Sequence, residues 1–237
     1  MKKAELAPKS VSKILRHKHN QESCLSRIDR YFGPFKNRTN KKTRDGWTGS
    51  FFEKYSENSD RERFDGNDVS AAICLSIRGE GGWVASLLNK SIDLSCFSGL
   101  PYETCISDVP KDFFDKSGMS KVLMQLLGIN GISLVIASKL LASKRPHLFP
   151  IFDGDVSKFF GVQMPKGTNK EKEKAETYLE WCKSWQEVVS DPDVKTELEN
   201  IRTKISIQPN DQISSLRILD VIFWFEGQPK EEKKLEL

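Results

Sequence analysis

The chain of 237 residues reads as a mainly α protein. Apolar residues recur at helical spacing along most of its length, helix-starting residues precede those stretches, and Gly or Pro closes them.

Taken in order, residues 11–32 carry Val11, Ile14, Leu15, Leu25, Ile28 and Phe32 in a broken helical period. Residues 47–64 hold two aromatic clusters around a polar turn and predict a short β-hairpin or irregular arm, the one minor β element expected. Asn67 or Asp68 is placed to cap a helix over 69–77, which is apolar nearly all round and therefore buried. Gly79, Gly81 and Gly82 break that pattern, and a helix restarts over 83–88. A helix begins at 110–114, and Ser120 is expected to cap the next one, through Leu127. Residues 128–132 make a tight Gly-containing hairpin, and Ser133 caps a helix running to about Ser143. Pro146 and Pro150 enforce an extended connector, after which Asp153 opens a helix over 155–160. Beyond a Gly/Pro/Lys loop at 161–170, three further helices cover 170–189, 193–206 and 211–226.

Composition narrows the class. Hydrophobic residues at 38% and charged residues at 30% fit a soluble globular protein. No apolar run is long enough to span a bilayer, and the first residues lack the apolar core of a signal peptide, so no membrane association is expected. Cys24, Cys74, Cys96, Cys105 and Cys182 are odd in number and scattered, which fits reduced thiols in a cytoplasm. Residues 1–44 hold thirteen Lys/Arg against three acids, a net of +10. The overall charge of +4 leaves −6 for the rest. A basic segment on an acidic body suits a polyanionic partner, and a solvated basic tail would have the same composition.

The hairpin carries the chemistry. Two helices joined by so short a loop leave backbone N–H groups at the start of the second helix, where the helix dipole favours a phosphate. Gly131, Ile132 and Ser133 would present those groups, and Lys139, Lys144 and Arg145 are candidates for further backbone contacts. An ordinary αα-hairpin inside a bundle has the same local pattern. The three histidines (17, 19 and 147) are badly spaced for a metal site, and no phosphate-cradling loop, nucleophile elbow or Cys-x-x-Cys pair is present.

The stretch Ile-Asn-Gly-Ile-Ser-Leu-Val-Ile-Ala at 129–137 resembles the helix-hairpin-helix pattern Leu-x-Gly-Ile/Val-Gly-x-x-x-Ala. Phe-Pro-Ile-Phe-Asp-Gly-Asp-Val at 149–156 is similar to the segment that follows this hairpin in the helix-hairpin-helix DNA glycosylases of the endonuclease III type. In those enzymes a Pro-containing strand delivers an invariant Asp to the start of the next helix. The step of 22 residues from Gly131 to Asp153 agrees with that arrangement. Residues 72–78 weakly resemble the buried helix that precedes the family's DNA-wedge loop. The departures are informative. Ser133 replaces the second hairpin Gly, which is tolerable at a helix cap with negative φ. Val135 stands where bifunctional members carry a nucleophilic Lys, so strand cleavage through a Schiff base is not implied. Only Cys182 lies beyond Asp153, so the iron–sulfur loop of some members is absent.

The resemblance implies two helical lobes with a DNA cleft between them. A basic arm (1–68) would pack with a C-terminal lobe (153–237), and a helical barrel (69–152) would hold the hairpin. It implies a monomeric, monofunctional glycosylase that acts on double-stranded DNA and leaves an abasic site. Asp153 would stabilise positive charge on the sugar and orient or deprotonate water. Asp155 is the second choice for that base, or a charge neighbour of the first. Simple N-capping by Asp153 is compatible with either role. Base excision needs the nucleotide extruded and the gap filled; Arg78 is the wedge by carry-over, and Phe152 a candidate pocket wall. No cofactor is expected, with a monovalent cation at the hairpin the one allowance. Two rival readings remain: a non-catalytic helix-hairpin-helix DNA-binding protein, and a Mg²⁺-dependent nuclease using Asp153 and Asp155. Bacterial repair and excision of hypermodified pyrimidines from phage DNA are both open roles.

Overall fold

A computed structural model describes residues 6–16, 18–32, 48–77, 79–163, 165, 170–205 and 213–227. It is mainly helical: twelve α-helices and two short 3-10 turns occur among the described residues, and no strand. The predicted helix over 11–32 is two helices, α1 (Pro8–Arg16) and α2 (Lys18–Phe32). Residues 1–5 and 33–47, with most of the basic arm's charge, lie outside the described part.

The β-hairpin expected at 47–64 does not form in the described residues of that range. A 3-10 turn (Thr48–Phe51) leads into α3 (Phe52–Glu57). Phe52 and Ser56 stand four residues apart, fall on one face and are buried together. The helical spacing of these two inward residues prevails over the aromatic clusters that suggested strands. Next comes α4 (Gly66–Cys74). Its cap is Asp65, two or three residues earlier than expected: the Asp65 side chain accepts from the N–H groups of Asn67 and Asp68, and the Asp68 side chain accepts from the Asp65 N–H. The Gly-rich stretch ends in α5 (Gly81–Asn89), where Trp83 is a core residue, 2% exposed.

After α6 (Phe113–Lys116), α7 (Met119–Leu127) starts behind Gly118, whose positive φ of 81° makes the sharp entry, so Ser120 is not the cap. The predicted helical hairpin follows: α7, an exposed turn, then α8 (Leu134–Lys144). Ser133 caps α8 as expected, with φ −83° and its hydroxyl accepting from the Ile136 N–H. Gly131 has φ 92°, and a Cβ there would come within 3.2 Å of Trp83 Cβ, so conformation and crowding both require glycine. The chain continues through α9 (Gly154–Phe159), α10 (Glu171–Ser190), α11 (Pro192–Arg202) and α12 (Ser215–Gly227). One continuous apolar cluster runs from Val11 on α1 to Phe225 on α12. Among the described residues no helix is long and apolar enough to cross a membrane.

Two of the predicted surface cations belong to this interior. Lys144 is fully buried; its Nζ donates to Asp68 Oδ2 and, at 2.6 Å, to the carbonyl of Arg63. Asp68 also accepts from Ser143 Oγ at 2.7 Å, so a single ionic cluster ties the C-terminus of α8 to the start of α4. Arg145 is 4% exposed, donates to the Lys144 carbonyl at 2.8 Å and stands over the Phe97 ring. Neither residue is available to a DNA backbone, because both are buried, Lys144 against acceptors distant in sequence and Arg145 against the Phe97 ring. Lys144→Met should leave Asp68 buried without its counter-charge and cost about 3–5 kcal/mol of unfolding free energy. Urea denaturation of that variant and of Lys144→Met/Asp68→Asn checks this, with the double variant recovering part of the loss.

Candidate functional site

The connector after α8 decides where Asp153 lies. Pro150, Ile151 and Phe152 run extended and are clamped from two sides. The Phe152 N–H donates to Ser138 Oγ of α8 at 3.0 Å. From α10, Tyr178 Oη donates to the Pro150 carbonyl at 2.9 Å and Trp181 Nε1 to the Ile151 carbonyl at 3.3 Å. Asp153 then caps α9, with Oδ1 accepting from the Asp155 N–H at 2.8 Å. Phe152 is fully buried against the Trp181 ring, so it is a core residue and not a pocket wall.

Asp153 opens onto a cavity of about 410 Å³. Lys139, Asp155, Arg217, Asp220 and the aromatic pair Tyr31 and Trp224 also line it. Lys139 is 4% exposed and faces this cavity, not the protein surface, which corrects its expected place on a DNA-facing flank. Its Nζ donates to the Leu75 carbonyl at 2.7 Å and lies 3.8 Å from Asp153 Oδ2. Burial lowers the Lys139 pKa, against the pull of Asp153 and Asp220. The bend that brings Leu75 there includes Ser76, whose φ of 65° is in the left-handed region.

Arg217 is the second buried cation lining this cavity. It donates through Nε to Glu53 Oε1 at 2.9 Å, through Nη2 to Tyr31 Oη at 2.7 Å and the Gly49 carbonyl at 3.2 Å, and through Nη1 to Asp220 Oδ2. Gly49 permits this approach, since a Cβ there would collide with Tyr31 Oη at 1.8 Å. Asp220 is pushed up to about 6: burial raises it, Arg217 and Lys139 oppose, and Asp153 adds repulsion. Asp155 pairs with Lys158 at 3.4 Å at the cavity rim.

Of the residues the sequence proposed, Asp153, Asp155 and Lys139 meet at the cavity. Gly131 and Ser133 are exposed on the hairpin turn, while Ile132 is 6% exposed and anchors it. Arg78 lies outside the described residues. Asp220 and Arg217 were missed, although a signal existed: they are the charges within the apolar run of α12. Among the described residues no group of three or more His, Cys, Asp or Glu is placed to hold a metal ion.

Residues 24–227 match a family described as a family of unknown function, DUF6308. The chain belongs to that family. No curated protein and no solved structure matches it.

As a DUF6308 member it carries a testable electrostatic signature at this cavity. Asp220 has a higher pKa folded (about 6) than its ordinary 3.8. Its contribution to stability is therefore full below about 3.8 and is lost as pH rises through about 6. Urea unfolding from pH 4 to 7.5 should show this acid-favouring slope in the wild type and a reduced slope in Asp220→Asn. An unchanged slope would mean that Asp220 titrates at its ordinary value.

Proposed function

We propose that this protein is a monofunctional DNA N-glycosylase, hydrolysing the bond between a modified or damaged base and its deoxyribose to leave an abasic site. The observation that carries the reading is the placement of Asp153. A helical hairpin and its clamped connector deliver this carboxylate to the wall of a cavity, where a buried ammonium group 3.8 Å away keeps counter-charge beside it. The cavity of about 410 Å³ is large enough for an extruded nucleobase, and Tyr31 and Trp224 supply aromatic walls for it.

In this reading the exposed turn at Gly131 and Ser133 holds the DNA backbone through main-chain N–H groups. Asp153 Oδ1 is engaged by the Asp155 N–H, which fixes the carboxylate's orientation. The carboxylate stabilises the oxocarbenium-like sugar as the base departs and takes a proton from the water that attacks C1′. Lys139 supports Asp153 as a counter-ion. Its amine already donates to the Leu75 carbonyl, so it is a positioning residue and not a nucleophile toward the sugar. Excision of hypermodified pyrimidines from phage DNA and repair of ordinary damage use the same chemistry, and the substrate decides between them.

The test is incubation with duplexes carrying uracil, hypoxanthine, alkylated purines or hypermodified pyrimidines in EDTA, followed by alkali to cut abasic sites. Release of one such base is expected, with Asp153→Asn lowering it by at least about 100-fold while DNA binding survives. Borohydride should trap no covalent adduct; a trapped adduct would make Lys139 a nucleophile. Strand cutting that appears only with Mg²⁺ would replace this reading with a nuclease. DNA binding without product on any substrate would leave a binding module.

A further inference from the structure

The glycosylase reading assigns Asp153 to the sugar and the water but names no source for the proton that a neutral base needs as it leaves. Asp220 lies on the same cavity wall, carried by α12 and held from behind by Arg217. Its side chain is 13% exposed, so it is largely withdrawn from bulk water yet open to the cavity. Arg217 engages Oδ2, and among the described residues no protein donor is bonded to Oδ1. We propose that Asp220 is a second catalytic carboxyl group, the acid that protonates the departing base while Asp153 accepts the proton of the attacking water.

The fold supports this division of labour. α12 packs against α9, and the fit is close: a Cβ at Gly227 would come within 2.3 Å of the Asp155 carbonyl. The helix that carries Asp220 is thereby fixed to the helix that Asp153 caps. The charged and titratable groups around Asp220 come from every neighbouring element. Arg217 stands on α12 itself, Lys139 on α8, and Asp153 and Asp155 at the start of α9. Glu53 on α3 and Tyr31 on α2 share Arg217 with it. With burial the largest influence, the balance places the carboxyl at about 6, where both protonation states are populated near neutrality.

The proposal rests on the N-glycosylase reading, and its chemistry balances. The water oxygen forms a bond to C1′ and the C1′–N bond breaks. The electron pair of that bond passes to the base nitrogen, which takes the Asp220 proton. Asp153 takes one proton from the water, and this proton returns to Asp220 through solvent to reset the site.

The test is single-turnover excision between pH 4.5 and 8.5 by the full chain, on a duplex carrying the neutral base that the wild type releases fastest in the panel above. Wild type, Asp220→Asn, Asp220→Glu and Asp153→Asn are compared, with thermal unfolding of each as the folding control. The wild-type rate should fall about tenfold per pH unit above about 6. Asp220→Asn should be about 100-fold slower at pH 6 and lose that falling limb. Asp220→Glu should restore a limb with a shifted midpoint, an outcome that a purely structural role for Asp220 does not produce. An Asp220→Asn variant that keeps the limb, or is slowed equally at every pH, overturns the proposal. Excision abolished by Asp153→Asn and untouched by Asp220→Asn overturns it while leaving the glycosylase reading in place. No excision by the wild type on any base overturns both.

Discussion

The connector between α8 and α9 constrains everything around it. Its backbone would be buried with unpaired polar groups unless each found a partner, and a group so stranded costs about 1–3 kcal/mol. Ser138, Tyr178 and Trp181 provide those partners from two different helices. The result is more than satisfaction of hydrogen bonds. Two prolines restrict the chain, three side chains pin it, and the residue that emerges is Asp153, with its orientation set by the first turn of α9. A carboxylate delivered in this way has little freedom, which is what the proposed chemistry would require of it.

The same economy explains why the cations of α8 are inside. Lys139 and Lys144 each carry a long apolar stem on a helix packed against α3, α4, α7 and α10, and each ammonium group finds carbonyl and carboxylate acceptors there. Lys144 binds the helices to one another through Asp68. Lys139 instead places its charge at the cavity, between the Leu75 carbonyl and Asp153. Two residues of one type on one helix, five positions apart, therefore serve different ends: one holds the fold and the other sets the field at the site.

What could be read from the sequence was what is local. The Ser133 cap, the glycine at 131 and the Asp153 cap depend on residues within four or five positions of each other, and all are found. The connector departs from its expected extended course at its start, where residues 146–148 turn and the Leu148 and Phe149 N–H groups both donate to the Arg145 carbonyl. The Asp65 cap lies two or three residues before its expected place because Asp68, also acidic, fills the third helical position of the same capping box. Long-range burial was not legible. The hydrogen-bond acceptors of Lys139 and Lys144 lie 64 to 85 residues away, so nothing near those lysines distinguishes them from surface cations. Residues 47–64 failed for a related reason: whether Phe51 and Phe52 share a strand or flank a helix start depends on which of them the core accepts, and it accepts Phe52.

Arg217 shows how the remaining charge is arranged. One guanidinium serves two carboxylates, Glu53 and Asp220, and both are largely withdrawn from solvent, with side chains 14% and 13% exposed. A single cation can stabilise only part of that negative charge in a medium of low polarizability. Burial accordingly raises both pKa values, and Glu53 Oε2 has no hydrogen-bond partner among the described residues. Lys139 could relieve Asp220, but it lies against Asp153, which repels Asp220 in turn. The cavity thus has too few cations for its carboxylates, and protonation of one is the cheapest way to close the deficit. Asp220 is the group with both the environment and the access to take that proton, because Glu53 lies behind Arg217 and away from the cavity lining.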